Sequence, residues 1–421
     1  MTGKRHTHRL FYGWYILAAA FTILFFNAGA RYSIGVMFKP MMAEFGWSRA
    51  SVSLAFFLNM TVFALALTVV GKFYDRYGPR WILMAGTVFV AGGFMLTSAI
   101  GSLWQLFIAY GILAAVGLSA TSVPLVAVLT AKWFEKRRGL AVSLALSGNS
   151  MGQFALVPLF TAFTLWYGWR MSYVWISIIM LVVNAALVLF VIKGDPHQMG
   201  QEPYGSKERA VGPGPVSPSA PSPAAADLTL AQALRTRSLW AFLVAMFICG
   251  SGDFFITTHL IPFVTDYGVS PSTAGNMLGW YGLMSLFGIL IAGPASDVAG
   301  NKLPIALSFL IRVALFALVL VYKNTTVFYI LALAFGFTHL VTAPLTPTLV
   351  GKLFGVRHLG AITGLVNTVH HLAGGFWAYV AGVTFDRTGS YQLAFAISGA
   401  LALVAFISTL LIKEERHVPA R

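Results

Sequence analysis

Seven ionisable side chains of this 421-residue chain fall inside long apolar runs: Arg31, Asp253, His259, Arg312, His339, His370 and His371. Each is costly in a hydrocarbon setting, which makes each a candidate for function. Asp253 is the one carboxylate among them, the other twelve acids standing in loops or tails. It lies about midway along its run beside Gly250 and Gly252, where close packing or a helix break would expose it to a cavity and let it load and unload a proton. Arg31 follows Asn27 by four residues, so the two share a helix face, and its guanidinium suits two-pronged binding of a carboxylate. With the site empty, Arg31 and Asp253 are expected to pair, which keeps two lone charges from being buried. His339, in FGFTHLVTAP, and His370 and His371, after Asn367, are candidates to relay a proton or donate to an anion. No metal site is expected from the adjacent histidines, which point about 100° apart on a helix.

The elements that hold these residues follow from length and composition. Apolar residues make up 58% and charged residues 10%, against about 25% charged in a soluble domain, which excludes a water-soluble globular enzyme. Twelve segments have the ~20 apolar residues that cross a bilayer: near 13–36, 48–71, 81–99, 103–131, 139–166, 169–192, 238–266, 273–295, 303–322, 326–350, 360–384 and 390–412. The expected fold is all-α, twelve transmembrane helices in two six-helix bundles, residues 1–195 and 237–421. Residues 196–236, with VGPGPVSPSAPSPAAAD, form a flexible linker between them. The first segment lacks a small-residue cleavage pattern and is read as a retained span.

The net charge of +15 is then a matter of topology. With the amino terminus inside, 21 basic residues fall on one side, five in the opposite loops, and Arg31 and Arg312 within spans. That asymmetry places both termini in the cytoplasm, and the expected location is the inner membrane. It accounts for the high pI without nucleic acid, since no basic groove is present. The single cysteine, Cys249, excludes a disulfide scaffold. No phosphate-cradling Gly-x4-Gly-Lys-Ser/Thr loop and no nucleophile elbow occurs, so neither ATP drive, catalysis nor a cofactor is expected.

The chain also repeats itself. GKFYDRYGPR carries Gly71, Asp75, Arg76, Gly78 and Arg80 between the second and third segments; GPASDVAGNK carries Gly293, Asp297, Gly300 and Lys302 between the eighth and ninth. Both read Gly-x3-Asp-x2-Gly-x-(Arg/Lys), 222 residues apart, and Phe134…Gly139 is echoed by Phe354…Gly360. The loop resembles the signature of the major facilitator superfamily. That resemblance implies alternating access between two bundles, with the loops acting as conformational switches whose acid pairs with a base in one state only.

A narrower resemblance covers the fifth segment. WFEKRRGLAVSLALSGNSMG, with Tyr12-Gly13-Trp14 at the first, is similar to the monocarboxylate transporters and their bacterial oxalate/formate-type relatives. It implies carriage of a small organic anion, by proton symport or exchange. The family's first-helix lysine corresponds to Tyr32, with Arg31 one place earlier; its eighth-helix arginine and aspartate correspond to Ile289 and Ser285. The resemblance also makes the ninth helix peripheral, so Arg312 receives no substrate role and no partner. The expected site is Arg31, Tyr32, Asn149, Tyr281, His339, Asn367 and His370 for the solute, with Asp253 coupling to the proton. Its partners are a small-molecule solute, the proton and the bilayer. The departures at Ile289 and Ser285, with the many aromatic residues, leave open a larger or neutral solute, drug export, or a sensor that does not transport.

Overall fold

The computed structural model describes residues 11–206, 228–355 and 357–413. The centre of the expected linker, residues 207–227, and both chain ends lie outside them. Twelve membrane helices run as α1 (Gly13–Phe45), α2 (Arg49–Tyr77), α3 (Pro79–Ser98), α4 (Leu103–Trp133), α5 (138–167), α6 (169–191), α7 (Arg237–Asp266), α8 (Pro271–Ala299), α9 (Lys302–Val321), α10 (Thr325–Phe354), α11 (Leu359–Thr388) and α12 (Gln392–Leu411). Among the described residues, ten runs are long and apolar enough to span a membrane on composition alone. One of these, Arg138–Val191, is two helices parted at Gly168, whose φ of 80° lies in the region that only glycine enters freely. The twelfth helix of the count, α11, is less apolar because it carries Asn367, His370 and His371.

Local chemistry sets the helix starts. Ser48, Thr236, Ser270 and Asn324 accept from amides three residues ahead of them, and Pro79 and Pro271 open their helices, where a missing N–H costs nothing. The first helix runs nine residues past its expected end at 36 because it continues through Pro40 into the surface layer. Gly78 and Gly300, at φ 82° and 74°, close the two signature loops. Gly71 and Gly293 stand free of neighbouring helices, nothing lying within 4 Å of a Cβ built on either.

α1–α6 form one bundle and α7–α12 the other, meeting along two seams, α2 against α11 and α5 against α8. The ends of the expected linker dock at equivalent places. The Tyr204 amide donates to the Trp133 carbonyl (2.9 Å), after α4, and the Leu228 amide to the Phe354 carbonyl (2.9 Å), after α10.

Candidate functional site

Between the bundles lies a cavity of about 380 Å³, within the range of small-molecule sites. Its wall takes Asn27, Arg31 and Tyr32 from α1, Phe63 and Leu67 from α2, and Ser122, Val123, Pro124 and Ala127 from α4. Asn149 comes from α5, Met246, Asp253 and Phe254 from α7, His339, Leu340, Thr342, Ala343, Thr346 and Pro347 from α10, and Thr363, Asn367, His370 and His371 from α11. These positions occupy the middle of the helices and the halves nearer the signature loops, so the cavity belongs to the loop face.

The opposite face is shut by contacts between the bundles. Arg49, at the start of α2, reaches Asp266 at the end of α7 (2.8 Å) and donates to the Tyr391 hydroxyl (2.8 Å). Its guanidinium lies 3.5 Å from the Phe385 ring centroid. The Asp386 carboxylate accepts from the amides of Arg49 and Ala50 (3.1 and 2.8 Å), so one bundle caps a helix of the other. Lys39 adds a second cation to Asp266 (2.6 Å). Burial holds the Tyr391 hydroxyl well above its ordinary pKa, so it keeps its proton while receiving the Arg49 donor. Deeper in, Ser150 and Ser285 share a hydrogen bond (2.9 Å), and the Gln153 amide donates to the Leu278 carbonyl (3.2 Å). Arg49 carried no sequence signal beyond a loop charge, yet it is buried in the closed seam.

The middle of the cavity is organised around Asp253, itself 1% exposed. Its partner is Arg312, at 2.8 Å, and not Arg31. The expectation of an Arg31–Asp253 pair is therefore corrected, and so is the placing of Arg312 at an unpartnered periphery. The α9 arginine reaches inward beside Gly252, where a Cβ would stand in ordinary contact, 3.7 Å from Nη1. There its Nε donates to Thr338 Oγ1 (3.1 Å) and its Nη2 to the Thr338 carbonyl (3.0 Å), at the end of the first half of α10. Carbonyls there lack helical partners, and the helix dipole favours a cation. The remaining edges of Asp253 face His339 Nδ1 (3.3 Å), His370 Nε2 (3.7 Å) and Cys249 Sγ (3.4 Å). Gly250 permits this, since any Cβ there would collide with the His370 carbonyl.

Arg31 has a different setting. Its Nη2 touches Met60 Sδ (3.4 Å), and its guanidinium carbon stands 4.7 and 5.2 Å from the ring centroids of Phe63 and Phe254. No carboxylate among the described residues pairs with it, and its Nε is buried without a partner. Tyr32 reaches His339 Nε2 (3.5 Å) across the seam. Tyr281, expected to face the solute, packs against His339 with its ring 5.1 Å away and against Phe335, and does not line the cavity. His371 turns to Phe63 (5.0 Å) and His370 to Asp253.

Donor atoms of Cys249, Asp253 and His370 lie within 4.8 Å of one another, a spacing that a metal ion could use. The Arg312 guanidinium, 2.8 Å from the carboxylate and 3.6 Å from the sulfur, already supplies the cation these groups call for.

At the loop face, Asp75, Arg76 and Asp297 are exposed, and Asp75 has no ionic partner among the described residues. Arg80 donates to the Leu189 carbonyl (2.7 Å), and Lys302 opens α9 after the Gly300 turn.

Known proteins share this architecture. The chain is 24% identical to an uncharacterised MFS-type transporter of Bacillus subtilis, covering 96% of this chain and 98% of that one. It is 28% identical to monocarboxylate transporter 13 of Bos taurus, covering 93% and 87%. Among solved structures, a bacterial homologue of the human lysosomal transporter Spinster, in an inward-facing and occupied conformation, superposes with a TM-score of 0.74 at 15% identity, covering 98% and 100%. The family model of the Major Facilitator Superfamily matches residues 20–267 and again 251–421. Both halves of the chain answering to one family, this multi-pass membrane protein belongs to the Major Facilitator Superfamily and is a transporter, not an enzyme.

Proposed function

We propose that the protein carries an organic monoanion with an apolar body, together with a proton, by alternating exposure of the cavity on the two faces. The observation that carries the reading is a charge balance. The site holds two guanidinium groups, Arg31 and Arg312, against one carboxylate, Asp253. With neutral histidines one positive charge is left over, and it is Arg31, which has no carboxylate partner among the described residues. A buried cation of that kind is costly unless an anion joins it. The cavity has more room than a two- or three-carbon acid fills, and Phe63, Leu67, Val123, Met246, Phe254 and Leu340 give much of it an apolar lining.

Proton coupling follows from the same geometry. While Asp253 is ionised it neutralises Arg312; once protonated it releases that charge, and the site attracts the anion more strongly. Proton and anion therefore favour each other's binding by the same coupling energy. His339 and His370, both against the carboxylate, are the path by which a proton reaches it. The likeness to monocarboxylate transporters supports this reading, and the excess of basic residues on the loop face supports a cytoplasmic placing of that face and of both termini in a cell's inner membrane.

The test is uptake by proteoliposomes under an inward proton gradient, with aliphatic and aryl monocarboxylates each paired with its primary amide. Accumulation of a carboxylate but not its amide, lost in Arg31→Gln, is the expected result. Equal handling of acid and amide overturns the monoanion reading, and binding without flux would identify a sensor.

A further inference from the structure

α4 is not one helix. Its hydrogen bonding stops with the amides of Thr121 and Ser122, donating to the carbonyls of Gly117 and Ser119 (3.2 and 3.3 Å), and resumes only with Val126 donating to Ser122 (3.1 Å). Between them Ser122 is extended, at ψ 164°, and Pro124 brings no N–H. A fresh eleven-residue helix, Val123–Trp133, therefore begins in the middle of the membrane with the amides of Val123 and Leu125 unmatched in its first turn and the positive end of its dipole foremost. Ser122, Val123, Pro124 and Ala127 line the cavity.

A second observation points to a ligand there. Ser122 is 3% exposed, its Oγ is buried without any partner, and although it stands at the capping position it does not cap its own helix. A free buried hydroxyl of this kind is an unspent hydrogen-bonding group. Next to it the Asn27 amide donates to Thr121 Oγ1 (2.7 Å), which pins α1 to the break one turn from Arg31.

The other bundle shows what such a break holds. α10 is interrupted at Leu340–Val341, and Pro344 follows Pro124 by 220 positions, the offset of Phe354 from Phe134. Cys249, 222 positions after Asn27, approaches Thr342 Oγ1 (3.7 Å) at that break, and Asp253, 222 after Arg31, lies beside it against His339. The second bundle supplies an anion from its own chain. The first places an arginine at the corresponding position and supplies none.

We propose that the anionic group of the cargo is held at the break in α4, by Ser122 Oγ and the opening amides of the Val123–Trp133 helix, with Arg31 as countercharge. The assignment rests on the monoanion reading above and adds to it where the charge sits. The apolar body of the solute then lies toward Phe63 and Leu67, away from Asp253, so that cargo and proton occupy opposite walls.

The test is ligand binding to purified full-length protein, with the same acid and amide pairs as probes. Wild type and Arg31→Gln establish whether an acid is preferred over its amide through Arg31. Ser122→Ala is expected to weaken the preferred acid about tenfold or more and leave the amide unchanged, as loss of a hydrogen bond to a charged group requires. Ser122→Thr, which keeps the hydroxyl, restores most of the affinity. Ser122→Asp sets a fixed carboxylate in the proposed place and is expected to abolish acid binding. If Arg31→Gln loses the acid while Ser122→Ala and Ser122→Asp bind it as wild type does, the monoanion reading stands and this site falls. If wild type prefers no acid, both fall. Should Ser122→Asp not fold, as judged by its melting temperature, the alanine and threonine variants decide.

Discussion

Arg31 and Asp253 stand 222 residues apart, the offset of the two signature loops, and so occupy corresponding positions on the first helix of each bundle while carrying opposite charges. They do not neutralise each other. Asp253 is satisfied within its own bundle by Arg312 at 2.8 Å, whereas Arg31 is surrounded by Phe63, Phe254 and Met60. A duplicated framework has thus been given one self-contained ion pair and one cation that waits for a partner. The division of labour proposed here, proton on the second bundle and anion on the first, follows from that asymmetry.

Asp253→Asn removes the titrating group and keeps its shape. Uphill accumulation driven by a proton gradient is expected to vanish, while counterflow exchange of the same solute persists. Measuring both in one proteoliposome preparation checks the assignment, and undiminished uphill uptake would sink it.

The pair with Arg312 makes a stability prediction that separates the single from the double variant. Arg312→Leu leaves a buried carboxylate unpaired and is expected to cost about 3–5 kcal/mol. Asp253→Leu with Arg312→Leu removes both charges and is expected to recover most of that loss, because a well-packed apolar pair needs no desolvation. Melting temperatures of the three proteins in one detergent make the comparison.

The spans were readable because hydrocarbon thickness imposes a length that the chain must meet, and Asp253, His339 and His370 were readable as polar groups in apolar runs. Their partners were not. Periodicity says which residues share a face of one helix and nothing about which helix lies opposite, so Arg312 gave no hint that it would cross to α7. Arg49 failed for a related reason. Near the end of an apolar run, a residue destined for a sealed seam and one destined for water look alike. Ser122 was masked by its neighbourhood, since Gly117 and Pro124 read as tolerated interruptions and only the geometry shows a hydroxyl left over at the restart of the helix.

The signature loop makes a state-dependent prediction. Asp75 is exposed and lacks an ionic partner among the described residues in this loop-face-open arrangement, so Asp75→Asn should change stability by no more than a surface substitution does, about 0.5 kcal/mol or less. If the acid pairs only when the loop face closes, transport should slow well beyond what that stability change explains. A variant with lost stability and an unchanged rate would show the loop to be a structural turn.

The sealed face offers the sharpest control over conformation. Arg49 and Lys39 on one bundle meet Asp266 on the other, and Gly382 lets α11 lie against α2, where a Cβ would come within 2.9 Å of the Arg49 carbonyl and 2.8 Å of Ser53 Oγ. Gly279 does the same for α8 against α5, where a Cβ would stand 2.7 Å from Pro158 Cγ. Arg49→Ala takes one of two cations from Asp266 and the donor from the Tyr391 hydroxyl, and Gly382→Leu or Gly279→Leu wedges a seam apart. All three should shift the population toward an opening on the face away from the signature loops, since only that state relieves the strain or the loss. An Asn367→Cys reporter on the cavity wall, in a Cys249→Ser background, reads the shift. A membrane-impermeant thiol reagent is expected to label it from the loop face in the parent protein, and from the opposite face as well once Arg49 or Gly382 is replaced. Labelling confined to the loop face in every variant would mean that these contacts do not hold the far side shut.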